Sequence, residues 1–222
     1  MLKLVFSLLA VAALVSFASS AIAARTFGSN LSRPANNALD CTVNPNAIYG
    51  IGTSSGATSC TWTQFGTAYG GRGESFQVPV GKGVITKVRI KVGPTTGRMR
   101  LALMQAYSGA ITGCCTTIAT SRVFKPRRNR ITTIRLRLKT KTSPYPHNGI
   151  YVYDYLGLSV LEPGVPMPAQ NTGENSTSNP NTEVGLGCYP AQRRGDQCVP
   201  GSNGADLSGY YVLMRATWKR RR

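Results

Sequence analysis

From Phe76 onward the chain alternates between apolar and polar residues, and after residue 25 no segment shows the three-to-four-residue apolar period of an amphipathic helix. Residues 84–92, VITKVRIKV, place Val84, Val88, Ile90 and Val92 on one face and Lys87, Arg89 and Lys91 on the other, which predicts a half-buried strand. Gly93, Pro94 and Gly97 mark a turn. Residues 98–106 then continue with Met99, Leu101 and Leu103 on one side, so the two segments read as a hairpin with a short loop. SRVF at 121–124 and ITTIRLRLK at 131–139 read as further strands flanking a PRRNR turn at 126–130. In the second of these, Ile134, Leu136 and Leu138 face inward while Arg135, Arg137 and Lys139 face outward.

Residues 149–160 set Ile150 and Val152 opposite Tyr151, Tyr153 and Tyr155, a strand apolar enough on both faces to be covered on both. Pro163 to Gly185, with NTGENSTSNPNT at its centre, has almost no hydrophobic content and predicts an exposed, mobile loop. GYYVLMRATW at 209–218 is the last strand, followed by a basic KRRR tail at 219–222. Strands recurring every ~10–15 residues, with turns between them and no helix, predict an all-β chain. The expected architecture is an antiparallel, jelly-roll-like β-sandwich, one domain over residues 25–222. The polar stretch belongs inside that domain, because a lone final strand beyond a linker would have no partner.

The N-terminal quarter departs from this pattern. Residues 1–24 combine Lys3, an apolar run from Leu4 to Phe17 and the small residues Ala21, Ala23 and Ala24, which read as a secretory signal cleaved near Ala24 or Arg25. The alternative is an uncleaved anchor, since residues 4–23 are long enough to span a bilayer. No later apolar run reaches that length, so the mature chain is expected to be extracellular, with no transmembrane segment. Residues 25–74 are rich in Gly, Ser, Thr, Asn and Ala, with TWTQF at 61–65 as a strand-like run.

Charge sharpens the picture. The chain holds 26 Lys plus Arg against 8 Asp plus Glu, and loss of the leader would remove Lys3 and no acid. Between Arg72 and Lys141 the only acid is Glu74. If the strands at 84–92 and 131–139 share a sheet, Lys87, Arg89, Lys91, Arg135, Arg137 and Lys139 merge into one positive surface, and Arg127, Arg128 and Arg130 extend it from the turn. Such a surface attracts anionic cell-envelope or extracellular polymers by steering and counterion release. It also blunts strand edges against aggregation, and that structural role competes with the functional one.

Six cysteines, all beyond the leader, form an even set, and export makes disulfides the expected state. Proximity suggests Cys41 with Cys60 and Cys188 with Cys198, each stapling a loop-rich stretch. Cys114 and Cys115 are left to pair with each other by elimination, although a bond between neighbours strains ordinary disulfide geometry. Crosslinks from each to Cys188 and Cys198, or a reduced pair, are the alternatives. Zinc is not expected, because there is no C-x-x-C pair and the single histidine, His147, has no cysteine near it in sequence.

Two segments carry a resemblance. Phe76 to Thr86 fit F-x-V-P-x-G-x-G-x-I-T, and Asp154 to Val160 fit D-x-L-G-L-S-V. With the closing YVLMRATW strand, residues 74–218 resemble uncharacterised exported β-sandwich proteins of bacteria. The resemblance implies fold and export, and it carries over no activity and no functional residue.

The remaining chemistry is sparse. Tyr151, Tyr153 and Tyr155 form a row on which sugar rings or bases could stack, making a carbohydrate-binding module with glycan ligands the second functional reading. A secreted hydrolase is the third. Gly52-Thr53-Ser54-Ser55-Gly56 matches G-x-S-x-G, but in a Gly/Ser-rich loop rather than at a strand-to-helix turn. No carboxylate pair stands out for glycosidase chemistry, and Asp154 and Glu162 are expected to bridge to arginines. Asp196, Asn203 and Asp206 match no EF-hand spacing. Asn30 and Asn175 head sequons that matter only where exported proteins are glycosylated. The sequence therefore favours a non-enzymatic binding protein with no cofactor or metal.

Overall fold

The computed structural model describes residues 24–35, 40–42, 57–67, 75–107, 115–142, 152–171, 183–199, 204–206 and 209–221. The elements are all strands: β1 (Arg25–Gly28), β2 (Cys60–Thr67), β3 (Gly81–Lys91), β4 (Met99–Tyr107), β5 (Thr116–Thr120), β6 (Ile131–Thr142), β7 (Val152–Val160), β8 (Ala169–Asn171), β9 (Glu183–Cys188), β10 (Gly204–Asp206), β11 (Tyr210–Val212) and β12 (Met214–Arg220). They pair antiparallel into a four-stranded sheet, β1-β12-β3-β6, a six-stranded sheet, β10-β9-β2-β7-β4-β5, and a small β11-β8 ribbon.

The two large sheets face each other across one core. Ile85, Val88 and Ile90 of β3 and Trp218 of β12 meet Trp62, Leu101 and Leu158 of the opposite sheet in a single buried cluster. This is the antiparallel sandwich that the alternation predicts. The connection after β3 differs from the expected hairpin. β3 pairs with β6 and β12, whereas β4 pairs with β7 and β5, so the Gly93–Gly97 turn carries the chain from one sheet to the other. β4 is apolar on both faces, with Ala102 and Met104 buried as fully as Leu101 and Leu103, which suits a place inside a sheet covered on both sides rather than beside β3, whose outer face carries Lys87 and Arg89.

Three further boundaries shift. The stretch 163–185 is not one polar loop: Val165, Met167 and Ala169 are buried, and β8 pairs with β11. Pro166 and Pro168 interrupt that alternation and mask it in the sequence; residues 172–182 lie outside the described residues. The final segment is two strands, because the chain leaves the ribbon at Leu213 and enters the four-stranded sheet at Met214. Lys219 and Arg220 belong to β12, opposite Val84 and Gly83, rather than to a free tail. The strand expected at 121–124 is instead β5 at Thr116–Thr120, followed by an isolated bridge from Phe124 to Met99.

Residues of the two resembling segments have physical reasons to be what they are. Gly81 has φ of 111°, a conformation that other L residues rarely adopt. A Cβ on Gly83 would lie 2.1 Å from the Trp218 indole, whose N–H donates to Thr140 Oγ1 at 2.9 Å. Asp154 is buried and accepts from Gln105 Nε2 (3.3 Å) and the Lys141 backbone N–H (3.2 Å), not from an arginine as expected. Glu162 does pair with an arginine, Arg98, at 2.5 Å.

Two disulfides match the proximity reading: Cys41–Cys60, with Cα atoms 5.3 Å apart, and Cys188–Cys198, 5.4 Å apart. Cys115 is disulfide-bonded, with φ of 104°, and Cys114 lies outside the described residues. The leader, residues 1–23, lies outside them as well. Among the described residues no helix is long and apolar enough to cross a membrane.

Candidate functional site

The outer faces of the two sheets differ in kind. On the six-stranded sheet, residues 189–199 leave β9 and cross the face as a strap. Ala191 N–H donates to Ser59 Oγ (3.1 Å) and Gln192 N–H to Thr61 Oγ1 (2.9 Å), whose hydroxyl also bonds that of Ser159 (2.7 Å). Farther along, Thr117 N–H donates to the Asp196 carbonyl, Gly195 N–H to the Thr117 carbonyl and Cys198 N–H to the Cys115 carbonyl. The Arg100 guanidinium reaches the strap too, donating to the carbonyls of Ala191 and Gln192 at 3.2 and 2.6 Å. Burial, then the neighbouring Arg193, lowers the Arg100 pKa, opposed by Asp196. The strap and its disulfide enclose a second buried cluster that includes Met104, Tyr155, Leu186, Cys188 and Cys198.

This arrangement corrects the stacking row. Tyr155 is buried, its ring edge-on to Phe65 at 4.8 Å, and burial, with Tyr153 adding to it, pushes its hydroxyl up to about 12. Tyr153 is half-buried against the same cluster. Tyr151 lies outside the described residues. Tyr153 and Tyr155 are a lining beneath a covered face rather than an open platform, because β7 is central in its sheet and both of its faces are packed.

The four-stranded sheet keeps its outer face open. β3 and β6 are neighbours, as the merging of their basic rows requires, and the register sets Lys87 directly opposite Arg135. On the other side of β3, Arg89 stands opposite Arg215 of β12. The register shifts at Thr86 against both neighbours, so Ile85 and Val88 point inward together. The pleat then turns Val84 outward, not inward with Val88 as the alternation predicts, and places it between Lys139 and Lys219. Val84 is only 6% exposed yet takes no part in the main core, consistent with cover by the stems of those two lysines.

Lys87, Arg89, Arg135, Arg137, Lys139, Arg215 and Lys219 are all exposed. β1, β3, β6 and β12 contain no aspartate or glutamate. Among the described residues no acid forms an ion pair with any of these seven. Lys91, the remaining strand candidate, is engaged elsewhere: its ammonium donates to the carbonyls of Leu31, Ser32 and Arg33 at 3.1, 3.2 and 2.6 Å, tying the loop after β1 to β3. Arg127, Arg128 and Arg130 are exposed on the turn that leads into β6, at the end of the sheet where Val92 N–H meets the Arg130 carbonyl.

The sequence reading misses Arg215 and Lys219, and leaves Lys82 and Lys141 as part of a general basic bias. Lys82 and Lys141 face each other across β3 and β6, and both are exposed. Arg215 and Lys219 alternate with Met214, Ala216 and Trp218, a signal present in the sequence; what it lacks is that β12 lies beside β3.

Other candidates do not converge. Ser54 and its G-x-S-x-G match, His147 and Asn203 lie outside the described residues. Asp196 is used in its own turn, accepting from Arg193 N–H at 2.6 Å, and Asn30 accepts from Ser32 N–H at 3.0 Å. Among the described residues no three His, Cys, Asp or Glu side chains cluster to hold a metal ion. No family model, curated protein or solved structure matches the chain.

Proposed function

We propose that this is a secreted, non-enzymatic protein that binds anionic cell-envelope or extracellular polymers on the outer face of its four-stranded sheet. The observation that carries the reading is the register: basic residues stand directly opposite basic residues, Lys87 with Arg135 and Arg89 with Arg215, with no carboxylate in the four strands. Like charges directly opposite one another destabilise a sheet. A polyanion lying across the face relieves that repulsion and releases its own counterions, so binding and stability gain from the same contact. The disulfides support an extracellular setting. The burial of Tyr155 weighs against the glycan-stacking alternative.

The test is retention on immobilised heparin as salt is raised. The wild-type protein is expected to stay bound beyond about 0.15 M salt, where exposed charges are already screened over ~8 Å. The variant Lys87→Ala, Arg89→Ala, Arg135→Ala, Arg137→Ala is expected to elute earlier, with the logarithmic salt slope reduced by about one per lost contact. Elution of the wild type at physiological ionic strength, or an unchanged slope in the variant, rejects the reading.

A further inference from the structure

β6 is the edge of the four-stranded sheet, and among the described residues it pairs with β3 alone. It runs over Ile131–Thr142, three times the length of β1 at the opposite edge, and among the described residues the backbone groups on its outer side meet no strand, Lys141 N–H going to the Asp154 carboxylate instead. Among the described residues no strand extends the sheet beyond β6. Ile134 and Leu136 are only half-buried against the core, Phe124 packs beside them, and Val123 and Ile131 are 50% and 39% exposed. Arg122, Phe124, Thr133, Ile134 and Arg135 line a groove of about 420 Å³ between the strand and the segment that follows β5.

We propose that the β6 edge binds an extended acidic polypeptide segment by strand addition. The two faces of β6 dictate the pattern that such a segment must carry. Its outward positions are Ile131, Thr133, Arg135, Arg137, Lys139 and Lys141, so an added strand meets four consecutive cations on that face and needs carboxylates at alternate positions. Its intervening residues fall over Ile134, Leu136 and the groove at Phe124, where apolar side chains remove from water the surface that the core leaves uncovered. A second copy of this chain is the wrong occupant, because edge-to-edge pairing of β6 with itself would bring arginines and lysines against one another. The proposal uses part of the same basic field as the polymer reading but depends on the unpaired backbone, which that reading does not need.

The probe is an acetylated, amidated peptide of alternating glutamate and valine, long enough to span Thr133–Lys139, titrated into the full-length oxidised protein. The expected result is binding with amide-exchange protection in β6 rising about tenfold or more, confined to that edge. A peptide of alternating N-methylglutamate and proline, equal in charge but with no backbone N–H to donate along the strand, is expected to bind at least about tenfold more weakly. Arg135→Glu with Arg137→Glu is expected to weaken the valine peptide by about tenfold while leaving the circular dichroism spectrum unchanged. Equal binding of the two peptides, or protection spread over β3 and β12 without β6, overturns strand addition and leaves the polymer reading standing. Edge-confined binding of the valine peptide with no retention on heparin supports strand addition and rejects the polymer reading.

Discussion

Gly83 shows how much can hang on one absent methyl group. With a Cβ only 2.1 Å from the Trp218 ring, Gly83→Ala forces the indole to move and endangers its hydrogen bond to Thr140. Overpacking of this kind costs about 1–3 kcal/mol, so the expected outcome is a lower denaturant midpoint with an unchanged slope, measured in urea. The buried tyrosines make a second prediction. Tyr155 and Tyr189 both have hydroxyls pushed up to about 12, chiefly by burial, from an ordinary value near 10. The unfolded chain therefore releases these protons first as pH rises. Folded-state stability is expected to be unaffected by these two groups below pH 10 and to fall between pH 10 and about 12. Thermal melts followed across that window, alongside the tyrosinate absorbance, check both the direction and the range.

Among the elements, the 189–199 strap is the one whose removal would most change the surface. Cys188 and Cys198 close a short loop, with a sequence separation of 10, and both are fully buried. Replacing both with serine is expected to cost about 2–4 kcal/mol and to speed amide exchange at Gln192 and Gly195, whose N–H groups donate to Thr61 Oγ1 and the Thr117 carbonyl of the sheet. Exchange at Ile85 and Val88, in the main core, should change no more than global stability requires. The strap also marks where the sequence was hard to read. Strands β3 and β6 are legible because they alternate over most of their length, Val84 excepted, and β7 because it is apolar on both faces. β8 is hidden by two prolines, and β9 and β10 are short and Gly-rich, so their register comes from tertiary pairing rather than from local pattern. The supposed hairpin illustrates the same limit: alternation identifies a strand and its inward face, but both a lateral neighbour and a facing sheet satisfy it.

For the whole molecule, the decisive asymmetry is that one sheet has both faces covered and the other has one face open, rich in basic residues and without an acid in its strands. The chain's 26 basic residues against 8 acidic ones already announce the charge. The alternation of 84–92 and 131–139 gives the rows, and Arg215, Arg89, Lys87 and Arg135 become one surface only through the order β12-β3-β6. Tyr155 shows the opposite case, since a tyrosine row reads identically in sequence whether solvent or a strap lies over it. Repulsion across the open face is expected to make the protein more stable as salt rises, with Tm increasing from low salt to about 0.5 M and levelling as the Debye length shortens. A charge-balancing variant, Lys87→Glu with Arg215→Glu, should flatten that dependence. A Tm that is insensitive to salt in the wild type would mean the rows do not interact.

The place of β12 bears on the order in which the fold can be assembled. β12 lies between β1 and β3, so among the described residues Arg25 to Gly28 pair with Arg215 to Trp218, far later in the sequence. A chain emerging N-terminus first can bring β3 and β6 together early, but β1 meets its partner only after β12 has appeared. The strand that brings Arg215 beside Arg89 is also the last of the described strands in sequence. The full basic surface therefore comes into being only once β12 has paired with β3, and a chain cut before Met214 does not present it.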